Sequence, residues 1–188
     1  WRHIPEAMEE YIKKKVLDYY LIDSLSDKVY NILKEKSYRF LIEEILPAPP
    51  EKVMEDMHRP EFIIRFNPQK GLHMEKIAPN REHYTTIANM ILFKLKLSWE
   101  FVYRFEGFVE EWWVENANYL KNMSGFCIYE RTKDNQCHYY SITVKVEPNE
   151  TLAALGEMII PTLEKMTKEN TAIMMENIRK YYMERKEK

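Results

Sequence analysis

"TLAALGEMIIPTLEKMTKENTAIMMENIRKYYMER", residues 151–185, decides how the rest of the chain is read. Its apolar residues recur at intervals of three and four, the period of one helix face. Leu155, Met158, Ile159, Leu163, Met166, Ile173, Met174, Ile178, Tyr181 and Tyr182 make the stripe that such a helix would bury. Gly156 and Pro161 interrupt it. An interior glycine costs a helix about 1 kcal/mol and an interior proline about 3. Pro161 also frees the carbonyl four residues back, at Glu157. The expectation is one long terminal helix with a kinked lead-in. Methionine is flexible and polarisable and suits a surface that meets varied apolar shapes, although the same stripe could pack a plain core.

Upstream of this helix the chain reads as strands. "WEFVYRF", 99–105, alternates, with Trp99, Phe101, Tyr103 and Phe105 on one face. Residues 72–78, 83–97, 108–115, 125–132 and 137–147 are the other runs, separated by short turns such as "PNRE" and "KDNQ". Short turns between strands imply an antiparallel sheet. A further strand, "YRFLIEEIL" at 38–46, comes first. It is followed by "PPEKVMEDM" and "RPEFIIRF", two short helices that each begin at a proline. Residues 5–36 are helical in pattern, with Ser24 or Ser26 able to cap a second helix through Val29, Ile32 and Leu33. A sheet with one apolar face must cover it, and only the terminal helix is long enough.

The order strand, two short helices, about six strands, long helix resembles the START-like or SRPBCC superfamily. These are the helix-grip proteins that include polyketide cyclases, lipid-transfer domains and birch-pollen-allergen-like proteins. The resemblance covers about residues 38–186 and rests on element order, on "PAPPEKVMEDM" after the first strand and on the broken final helix. It implies an α+β domain at 38–188, in which a curved antiparallel sheet of six to seven strands wraps around the C-terminal helix and leaves a cavity between them. Residues 1–37 stand outside that pattern as an N-terminal helical extension, either a lid or an interface for a second copy or another protein.

On this reading the ligand-binding residues are Trp99, Phe101, Tyr103, Trp112, His138 and Tyr140 from strands, with Met158, Leu163, Met166 and Met174 from the helix. A register slip of one residue would reverse every strand assignment. Trp112 and Trp113 are adjacent, so one faces in. Of the acid pairs Glu43–Glu44 and Glu110–Glu111, each supplies at most one inward carboxylate, and Glu44 and Glu110 are the candidates. His3, His58, His73, His83 and His138 show no zinc spacing, and His73 and His138 read as hydrogen-bonded structural histidines. Folding the last hairpin about Asp134–Asn135 sets Cys137 opposite Thr132 rather than Cys127, which argues against a disulfide. No metal and no cofactor is expected.

Composition closes off other classes. A chain of 188 residues with 45% hydrophobic content is enough for one cored domain. Its net charge of −2 lacks the basic excess of a nucleic-acid binder. Four glycines leave little room for a phosphate-binding loop. No run reaches the roughly 20 apolar residues of a membrane span, and none reads as a signal peptide. Two cysteines fit a reducing, cytoplasmic setting. With 13 Tyr, 4 Trp and 8 Phe, the leading expectation is a non-enzymatic binder or carrier of a hydrophobic small molecule or lipid. The alternatives are a cyclase- or hydrolase-like enzyme using a cavity acid and tyrosine, and a protein–protein interaction module using the N-terminal helices.

Overall fold

A computed structural model describes residues 25–90 and 92–186. The chain divides into two compact units, Trp1–Ser37 and Tyr38–Lys188. Of the first unit, helix α1 (Leu25–Glu35) is described; the helix expected ahead of it lies outside the described residues. Asp27 in its first turn and Lys34 in its last complement the helix dipole.

The second unit begins with strand β1 (Phe40–Leu46), then helices α2 (Pro50–Met57) and α3 (Pro60–Phe66). Each helix has proline in its first turn, where no backbone donor is lost. Strands β2 (His73–Ala78), β3 (Arg81–Asn89), β4 (Lys94–Glu106), β5 (Val109–Glu115), β6 (Leu120–Arg131) and β7 (Cys137–Pro148) follow. The chain ends in α4 (Glu150–Ala153) and the 28-residue α5 (Ile159–Lys186). The sheet order is β1-β7-β6-β5-β4-β3-β2, and every described pairing is antiparallel. This is the helix-grip arrangement expected from the sequence. No described helix is long and apolar enough to cross a membrane.

Several local expectations are corrected. Pro161 does not kink a helix interior. It is the third residue of α5, and the break falls earlier, in the turn after α4, where Gly156 takes φ +121°. That conformation suits glycine and strains other residues. Leu155 and Met158 belong to this turn and are 47% and 73% exposed, so neither joins the buried stripe; Ile173, at 46%, also faces outward. The segments at 94–97 and 99–105 are one strand, and "PNRE" is not all turn, because β3 starts at Arg81. In the last hairpin Cys137 sits opposite Arg131. Thr132 belongs to the loop, where its Oγ1 accepts from the Gln136 amide at 3.1 Å. Both cysteines are buried and free.

Two apolar clusters of described residues hold the unit together. The larger joins β1, α2, α3 and the sheet to the far end of α5 through Met174, Met175, Ile178 and Tyr182. The smaller gathers Ala88, Leu95, Leu152 and Ile159 at the β3–β4 end. Between Ile159 and Met174 no residue of α5 is fully buried. The helix is thus fixed at both ends and stands off the sheet in the middle.

Candidate functional site

A pocket of about 320 Å³ occupies that stand-off. Ala88, Trp99, Phe101, Trp112, Val114 and Met123 line it from the sheet, and Ile160, Leu163, Met166 and Met174 from the helices' side. Neighbouring strands stack their rings, directly opposite at Tyr84–Trp99 and diagonally at Phe101–Trp112. Tyr84 lies parallel to Trp99 at 5.4 Å and 4°, and Phe101 lies against Trp112 at 5.4 Å and 27°. Such pairs bury large area and present π faces to the space beside them. The loop after α3, which lines the pocket through Asn67, Gln69 and Leu72, is tied down. Asn170 donates to Gln69 at 2.6 Å, Gln69 to the Ile87 carbonyl at 2.7 Å, and Asn177 to the Phe66 carbonyl at 3.2 Å.

The polar end of the pocket is built around His58. Pro60 disfavours a helical Arg59, which is extended at φ −102°, ψ 115°, so α2 must end before it. His58 is therefore left at the C-terminus of α2, the end of a helix that favours positive charge. Its ring stacks on Tyr103 of β4 at 3.9 Å, with Phe105 edge-on at 5.5 Å. From there it spans one strand to each side. Nδ1 lies 3.1 Å from Glu82 Oε1 on β3, and Nε2 lies 2.9 Å from Glu110 Oε2 on β5. Tyr84 donates to Glu82 at 3.1 Å and Tyr129 to Glu110 at 2.9 Å. Glu82 and Glu110 are fully buried.

The charge state follows from these contacts. Both imidazole nitrogens face carboxylate oxygens, and only the imidazolium donates from both. Burial opposes that charge, but the hydrogen bonds that His58 donates to Glu110 and Glu82, reinforced by their charges, outweigh it and lift its pKa to about 9. Burial, with Glu82 adding to it, holds Tyr84 well above the usual phenol range, and burial with Glu110 does the same for Tyr129. Both phenols stay protonated and act as donors. No group of three or more His, Cys, Asp or Glu among the described residues is disposed to hold a metal ion. Thr86 also faces the pocket from β3, 7% exposed, and its buried Oγ1 has no hydrogen-bond partner among the described residues.

Of the residues expected to line the site, Trp99, Phe101, Trp112, Leu163, Met166 and Met174 do so. Tyr103 is buried beneath His58, and its hydroxyl donates to the Pro79 carbonyl at 2.9 Å. His138 and Tyr140 are on the wrong face. Cys137 and Tyr139 are buried at this end of β7, and His138 and Tyr140, which alternate with them, point to the opposite face. There His138 pairs with Glu43 at 2.6 Å and with the Tyr140 hydroxyl at 3.0 Å. Met158 is exposed in the turn before α5. Of the two inward acids, Glu110 reaches the pocket, whereas Glu44 lies 3.4 Å from Arg179 of α5. Sequence reasoning misses Glu82, His58, Tyr84, Thr86 and Tyr129. The alternation Glu82, Tyr84, Thr86, Ala88 is the available signal, hidden when Glu82 is assigned to a turn.

No family model matches the sequence, and no curated protein matches it. Solved structures do share the fold. TTHA0849 from Thermus thermophilus is 14% identical with a TM-score of 0.58, over 76% of this chain and 95% of that one. The Zhui aromatase/cyclase from Streptomyces sp. R1128 is 12% identical with a TM-score of 0.59, over 78% and 93%. A START superfamily protein from Mycobacterium smegmatis is 10% identical with a TM-score of 0.58, over 76% and 97%. At these identities the likeness establishes a START-like, SRPBCC-type fold.

Proposed function

We propose that the protein binds a hydrophobic small molecule or lipid between its sheet and α5, as a carrier or receptor rather than an enzyme. One observation carries this reading: α5 is fully buried at both ends but only partly between Ile159 and Met174, above a pocket lined with aromatic rings and methionines. A filled core would bury Leu163 and Met166 completely, whereas both are only partly buried. A ligand giving up roughly 200 Å² of apolar surface there gains about 5 kcal/mol, against which the ordering costs of binding are set.

The second reading is a cyclase- or hydrolase-like enzyme, in which the buried pair Glu110–Tyr129 and the charged His58 handle protons. An aromatase/cyclase with the same fold keeps it in view. Native mass spectrometry of the purified protein, with analysis of a solvent extract, tests the first reading. We expect a retained apolar compound recovered unchanged, and loss of binding of the neutral probe N-phenyl-1-naphthylamine in Leu163→Trp. A protein that retains nothing and does not bind the probe contradicts it; chemical conversion of the retained compound favours the enzyme.

A further inference from the structure

The charges around the pocket are one-sided. Among the described residues no lysine or arginine lines it, whereas Glu82, Glu110 and Glu164 do. Arg39 holds Glu164 at 2.7 Å. His58 is shared between the other two carboxylates, so one imidazolium faces two buried acids, and one negative charge is left over when both acids are ionised. A buried charge without a partner is costly, and the cost is relieved by a counter-charge. His58 and one tyrosine apiece leave acceptor capacity on both carboxylates, each of which can take roughly four hydrogen bonds.

We propose that the pocket takes an aromatic or apolar molecule bearing a basic amine, its ammonium group beside Glu82 and Glu110 and its body against the Tyr84–Trp99 and Phe101–Trp112 pairs. This rests on the pocket being a binding site, as argued above. The stacked rings favour the same ligand class, because an aromatic face attracts a cation. A carboxylate or phosphate ligand would instead bring a like charge to a lining whose described residues have no cation to spare.

Thr86 gives an independent sign that a polar group of the ligand is met. Its hydroxyl is buried and unpartnered on the pocket face of β3. It lies four residues along the strand from Glu82, or roughly 13 Å at about 3.3 Å per residue. A ligand reaching both carries its amine at one end and a hydrogen-bonding group toward the other.

Isothermal titration at pH 7 with three probes of one shape tests this: 2-naphthylmethylamine, 2-naphthylmethanol and 2-naphthoate. The amine should bind at least ~10-fold tighter than the alcohol, a difference of about 1.4 kcal/mol, and naphthoate should bind weakest. The preference should persist in 0.5 M salt at ~ten-fold, because a buried charge is screened far less than a surface one. Glu110→Gln and, separately, Glu82→Gln should shrink the amine-to-alcohol affinity ratio toward one, each variant being checked for folding by its thermal melt. If neither variant folds, the wild-type ranking and its salt dependence decide. An alcohol that binds as well as the amine, a tighter naphthoate, or an amine preference abolished by salt overturns the inference while the pocket stands. If none of the three binds, the pocket reading itself fails.

Discussion

Raising the pH should withdraw the charge that ties α2 to the sheet, and the size of the effect can be worked out. His58 has an ordinary value of 6.5 and about 9 in the folded protein, a side chain only 10% exposed. The difference of about 2.5, at roughly 1.4 kcal/mol per pKa unit, is about 3 kcal/mol. The folded-state value is the raised one, so the stabilisation is fully present below pH 6.5. It declines by roughly 1.4 kcal/mol per pH unit above that and is gone once the pH passes about 9. Other groups titrate in this window, so the reference is the double variant Glu82→Gln, Glu110→Gln, which removes both carboxylates that raise the pKa of His58. Urea unfolding followed by tryptophan fluorescence between pH 6 and 10 should show the wild type losing about 3 kcal/mol more than the variant. Parallel curves, or an NMR titration that puts His58 near its ordinary value, would refute the reasoning.

Four further substitutions probe the scaffold. Gly125→Ala should destabilise by at least about 3 kcal/mol, seen as a depressed Tm, because a Cβ there collides with the Ile142 carbonyl and comes within 2.5 Å of the Trp112 ring. Gly156→Ala should cost about 1–2 kcal/mol in urea unfolding through its φ of +121°, whereas Pro161→Ala in the first turn of α5 should cost well under about 1 kcal/mol. Thr86→Val removes a buried hydroxyl that has no partner among the described residues; the ligand-free protein should be unchanged or stabilised by up to about 1 kcal/mol. A clear loss of stability there would reveal a partner for that hydroxyl.

Much of the fold is legible in the sequence because its signals are periodic and local. The proline starts at Pro50 and Pro60, the alternation through Trp99–Phe105 and the helical stripe through Leu163, Met166 and Met174 each have one physical reading. The errors arise where the period changes. Leu155 and Met158 continue the helical count on paper, but Gly156 opens a turn that resets the phase. His138 and Tyr140 fall on the wrong face because a strand's parity depends on its partner's register, which no single run contains. The polar centre is the hardest part to read. His58, Glu82 and Glu110 are far apart in sequence and meet only because β3, β4 and β5 are neighbours and α2 ends above Tyr103. Glu110 alone is reachable, as the inward member of an adjacent pair.

The most direct test of the binding account is methyl NMR of protein labelled at its methionines, titrated with N-phenyl-1-naphthylamine. Met57, Met123, Met166 and Met174 line the pocket, while Met158 and Met183 are exposed away from its lining. The account predicts saturable shifts of the first four with the last two unmoved. Shifts confined to Met158 and Met183, or no saturable shift at all, would contradict it.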